Sequence, residues 1–156
     1  MDPQAQTIWD ALEFRAPALL RALGPLDDVQ LRWRAPGAVN SIAWLLWHIA
    51  EVEDNWVRDR LYGQPKRFPF GVSVKQAAET AWPAKADLLQ YLHEVRALTR
   101  DRLAAMTPAD FDRTVKDATY GLLTVRQVWA GVATSAAWHG GQIVYAARLV
   151  AAGGPR

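Results

Sequence analysis

Val128, Val132, Ser135, His139, Gln142, Ala146 and Leu149 stand at alternating steps of four and three, the repeat that holds one seam of a helix against a partner. A seam of this length commits the chain to long, packed helices. Thr124 followed by Gln127 fits a capping box at its start, and the helix is expected to continue to about Ala152. Three consecutive seam positions, Ser135, His139 and Gln142, are polar. Gly140 and Gly141 interrupt the same segment, although each Gly in a helix interior costs about 1 kcal/mol relative to Ala. A solvent stripe through Gln127, Thr134, Gly141 and Arg148 leaves the polar trio inside the fold or on the flank of its core.

Three further segments carry the same period. Ile8, Leu12, Ala16, Leu19 and Leu23 describe a first helix over residues 3–23, interrupted or kinked near Pro17. Asn40 or Ser41 opens a second helix that runs to Gly63, a suitable C-terminal stop. Pro83 suits the first turn of a third, with Leu88, Leu92, Val95, Thr99, Leu103 and Met106 on one face. A short helix is expected near residues 74–80, and "TPADFD" reads as a capped turn. Long connections and the lack of an alternating strand pattern predict an all-α four-helix bundle, one domain over residues 1–156.

The composition excludes several classes. With 18 basic and 16 acidic residues the net charge is only +2, so nucleic acid is not an expected partner. The chain has no cysteine, which removes disulfides, thiolate ligands and a cysteine nucleophile. Neither a signal peptide nor a membrane-length apolar run is present, so a cytoplasmic protein without a membrane partner is expected.

On the second helix Ile42, Leu45, Ile49, Val52 and Trp56 form the main apolar stripe, and Trp44, His48, Glu51 and Asn55 form the stripe beside it. Two histidines meeting in a bundle interior, as His48 and His139 could, admit two readings. They hold a divalent metal between helices, or they are satisfied core histidines bonded to neighbours such as Glu51 and Gln142. His93 shares a face with Arg96 and Arg100 and reads as a solvated residue. Ser135, one turn before His139, has the position of a nucleophile but lacks a strained turn or an oxyanion hole. Eight Trp, among them Trp44, Trp47, Trp56, Trp129 and Trp138, supply packing mass or the walls of a pocket.

"SIAWLLWHIAEVEDNW" and "TVRQVWAGVATSAAWHGGQIVYAARL" resemble the second and last helices of the DinB-like superfamily, which includes the YfiT-like proteins. The resemblance implies an up-down-down-up four-helix bundle, commonly a homodimer. It also implies a divalent metal on three histidines, one in the second helix and two in a pattern like H-x-x-x-H-R-G-Q-I in the last. Carried over residue by residue, the ligands are His48 and His139, and the place of the middle histidine is taken by Ser135. Glu51, or a water held by Ser135, would complete the set for Zn, Ni or Mn, with Gln142 orienting His139. The implied activity is metal-dependent transfer of a low-molecular-weight thiol such as bacillithiol or mycothiol onto an electrophile, or a hydrolysis. Gly141 is usual for the family, which fits close helix approach behind the metal site, whereas Gly140 replaces a usual Arg. Two other readings remain: a metal-free bundle binding a small apolar ligand in its Trp-lined pocket, and a dimerisation module.

Overall fold

Pro17 decides where the first helix stops. Its ring conflicts with the carbonyl four residues earlier, that of Glu13, and in the computed structural model, which describes residues 1–153, helix α1 (Pro3–Glu13) ends at that residue. Helix α2 (Ala16–Leu23) restarts with Pro17 in its first turn. Of the two outcomes expected near Pro17, an interruption or a kink, the chain takes the interruption, with two helices joined at Phe14 and Arg15. Asp27 and Gln30 then form a reciprocal capping box for the short α3 (Asp28–Arg32).

Helix α4 (Ile42–Asn55) is capped by Ser41, whose hydroxyl accepts from the Trp44 amide. It passes into one wide π turn, Trp56–Leu61, and the segment closes at Gly63 with φ of +62°. The widened turn carries Trp56, whose ring faces Gly131. Arg60 stacks 3.7 Å from the centre of the Trp56 ring and pairs with Asp117 at 2.6 Å.

Helix α5 (Lys85–Ala104) has Ala84 at its cap, so Pro83 lies just before the helix. The expected face of Leu88, Leu92, Val95, Thr99, Leu103 and Met106 is buried throughout. A hairpin follows, in place of the strand-free chain that the sequence suggests. Strands β1 (Thr114–Asp117) and β2 (Gly121–Thr124) pair antiparallel, Thr114 opposite Thr124 and Asp117 opposite Gly121. Asp117 accepts from the amides of Thr119 and Tyr120 to hold the turn. Four residues per strand are too few for a period of two to stand out.

Helix α6 (Val125–Gly153) starts at the expected box, with the Thr124 amide donating to Gln127 and the Gln127 amide to Thr124. Its buried line runs through Val125, Val128, Val132, Gly140, Ile143, Ala147 and Val150. Beyond Val132 this is one position later than the seam read from the sequence. Ser135 and His139 are half-buried on its flank, and Gln142 is exposed. A straight helix of 3.6 residues per turn falls behind a strict 3.5 repeat by about 20° per heptad, which accounts for the slip.

Helix α4 packs against both α5 and α6, while α1 lies on α5 and α6 and α2 on α6. The core is in two parts. Leu23, Ile42, Leu46, Trp47, Leu88 and Ile143 belong to one, and Leu12, Val57, Leu103, Phe111 and Trp129 to the other, with Ala136 touching both. At the waist lies a polar cluster. Thr99 donates to Glu53 Oε1 at 2.7 Å, and Arg96 Nε stands 2.9 Å from Glu53 Oε2 as an ion contact without hydrogen-bond alignment. Arg96 also reaches Glu13 at 3.3 Å.

Candidate functional site

Three carboxylates of α4, Glu51, Glu53 and Asp54, are buried, and each is satisfied differently. Burial of an ion requires partners, and here the partners tie α4 to its surroundings. Glu53 serves α5. Asp54 receives Arg58 at 2.6 Å, Arg67 at 3.0 Å and the Tyr91 hydroxyl at 3.1 Å. Burial, followed by the Asp54 charge, raises the Tyr91 phenol well above its ordinary value. Glu51 accepts from Ser73 Oγ at 2.5 Å and from the Val74 amide at 2.8 Å. Phe70 meets Trp47 and Tyr91 edge-on, so the connection after α4 is pinned at Arg67, Phe70, Ser73 and Val74.

That pinned loop forms one side of a pocket of about 260 Å³, whose walls include His48, Glu51, Asn55, Arg60, Ser73 and Lys75. The imidazole of His48 is stacked on Trp44 at 4.6 Å and meets His139 edge-to-face, the ring centres 4.9 Å apart. Burial, then the nearby His139 and Lys75, push His48 down to about 4, so its ring is neutral near pH 7. Its Nδ1 is buried without a hydrogen-bond partner among the described residues, and so is Asn55 Oδ1. Two orphaned polar atoms lining one small pocket are costly unless something else satisfies them.

His139 Nδ1 lies 2.7 Å from Gln142 Oε1. A carbonyl oxygen only accepts, so Nδ1 is the donor to Gln142, and Nε2 is the nitrogen left to face a metal. The structure therefore brings His48, His139 and Gln142 together and sets Glu51 in the same pocket wall with both oxygens engaged by the loop. Ser135 makes no side-chain hydrogen bond among the described residues and does not line the pocket; nor does His139 itself. Among the described residues no three His, Cys, Asp or Glu side chains are grouped as a metal site. His93 is exposed. Asn55, Ser73 and Lys75 were not singled out as site residues by the sequence. Asn55 stood on the His48 stripe, but the loop residues reach the site through tertiary contacts that periodicity does not encode.

The glycines of α6 also differ from expectation. A Cβ at Gly140 or Gly141 would meet no atom within 4 Å among the described residues, so no close helix approach requires either one. Gly131 is the glycine under pressure, since a Cβ there would overlap the six-membered ring of Trp56.

A helical bundle with one imidazole from each of two packed helices at a single contact defines the class of this protein. The sequence model of the DinB superfamily matches residues 11–143, and the chain belongs to that superfamily. It is similar in fold to a conserved protein from Enterococcus faecalis known from a crystal structure. The two are 20% identical, the match covers 95% of this chain and 97% of that one, and the TM-score is 0.72. No curated protein matches the chain.

Proposed function

We propose that this protein is a divalent-metal-dependent enzyme of the thiol-transferase or hydrolase type, with His48 and His139 as metal ligands. The observation that carries the reading is the contact between the two imidazoles, one with a buried unpartnered nitrogen and the other with its tautomer set by Gln142. His48 offers a neutral ring, the form that ligates, and on His139 the Gln142 contact at Nδ1 leaves Nε2 for a metal. When bound, a divalent cation supplies a Lewis acid that favours the thiolate of a thiol or the hydroxide of a water. Asn55 Oδ1 and a water on Ser135 are the remaining donors of this chain, because Glu51 is committed to Ser73 and Val74. Of Zn, Ni and Mn, the nitrogen donors suit Zn and Ni best.

Metal content by plasma mass spectrometry, on protein purified without a polyhistidine tag, tests the reading. Near one metal per chain, lost in His139→Ala, is the expected result. No metal in either protein after Zn or Ni is offered would overturn it and leave the metal-free ligand-binding bundle. The proposal includes a homodimer, for which the exposed Trp138 and Tyr145 of α6 are the apolar surface to cover. A monomer by light scattering at micromolar concentration would remove that element. No helix among the described residues is long and apolar enough to cross a membrane.

A further inference from the structure

Beside the histidine pair, on the next face of α6, the fold encloses a second and larger space. A cavity of about 1040 Å³ opens between α1 and α2 on one side and α5 and α6 on the other, with Ile49 of α4 in its lining. That is at the upper end of the range for small-molecule sites. The helix break at Phe14 and Arg15 and the small side chains of Ala97, Ala137, Gly140 and Gly141 are what keep it open. Neither Gly140 nor Gly141 is made necessary by a neighbour.

The lining is apolar inside, through Leu12, Leu19, Ile49, Leu92 and Val144, and basic around them. Arg96 is already matched by Glu53 and Glu13. Arg15, Arg100 and Arg148 have no carboxylate partner among the described residues; Arg15 lies over Phe14 and Arg100 over Trp9. Against these three guanidiniums stands one unpaired carboxylate, Asp101. An apolar interior with a cationic surplus matches a molecule with a hydrocarbon or aromatic body and one acidic group.

We propose that this cavity is a binding site for an apolar monocarboxylate, its body between α1–α2 and α6 and its acid group at the exposed arginine rim, to which Arg15, Arg100 and Arg148 each contribute at a different point. The site is separate from the histidine pair and does not depend on metal there.

The test titrates the full chain with 1-pyrenebutanoate and its uncharged counterpart 1-pyrenebutanol, read by energy transfer from tryptophan. Saturable binding of the acid at micromolar concentration is expected, about tenfold tighter than the alcohol, a difference of about 1.4 kcal/mol. Gly140→Leu should weaken both probes about tenfold or more by filling the space. Combined Arg15→Gln, Arg100→Gln and Arg148→Gln should bring the acid down to the alcohol while leaving the alcohol unchanged. His48→Ala should alter neither. If Gly140→Leu does not fold, Ala97→Leu blocks the same space from α5. No saturable binding, equal binding of acid and alcohol, or undiminished binding in the blocked variants would overturn the proposal. So would a dimer that binds neither probe until diluted to monomer, since a second copy would then occupy the cavity.

Discussion

Three glycines of α6 occupy opposite circumstances at residue scale. Gly131 lies against Trp56, on whose indole Arg60 also stacks. Gly140 and Gly141 face open space. Gly131→Ala must displace a packed ring and should destabilise by about 1 to 3 kcal/mol, the usual cost of overpacking. Gly140→Ala should stabilise by about 0.5 to 1 kcal/mol, because Ala restricts the unfolded chain and favours the helix without a clash. Urea denaturation of the two variants checks both signs. A stabilising Gly131→Ala, or a destabilising Gly140→Ala, would contradict the packing described. The sequence showed that these glycines are anomalous, but not which of them is forced, because that depends on what the fold places opposite.

At the scale of elements, α4 is fastened by its buried acids. Burial pushes the Glu53 carboxyl above its ordinary value of 4.5, against the opposing pull of Arg96 and Thr99. The folded state thus holds that proton to higher pH than the unfolded chain. Its contribution to stability is complete below 4.5 and is lost as pH rises through the folded value. Arg96→Leu leaves Glu53 uncompensated, and the loss should be about 3 to 5 kcal/mol near neutrality. It should shrink as pH falls toward 4.5, where protonation removes the buried charge. Denaturation midpoints at neutral and mildly acid pH check this, and an equal loss at both would exclude Glu53 as the cause. Glu51→Ala should release Ser73 and Val74 at a cost of about 1 to 3 kcal/mol. Hydrogen exchange should then quicken at residues 73–76 and not in α5; protection unchanged at Val74 would show that the loop has another anchor.

For the whole molecule, long periods were legible and local interruptions were not. Apolar spacing indicated α4, α5 and α6 and the cap at Thr124. The break after Glu13 follows from Pro17, which marks a kink without telling whether the helix resumes in line. The π turn at Trp56–Leu61 has no signal in the apolar spacing, and the hairpin at Thr114–Thr124 is too short to carry a pattern. The same distinction holds at the site. His48 and His139 were readable as inward or flanking residues of two helices from their spacing, and their ring contact is what the fold adds. The engagement of Glu51 by Ser73 and Val74 was not readable, since the loop is placed by Arg67 and Phe70. The proposed metal site requires the imidazoles of the two helices to share one metal. With only three histidines in the chain, long-range nitrogen–proton correlation NMR resolves each ring directly. Near pH 7 the account predicts neutral His48, a proton on Nδ1 of His139, and shifts of both rings complete at about one equivalent of zinc while His93 stays unmoved. A zinc titration that moves neither His48 nor His139, or that moves His93 alone, would contradict it.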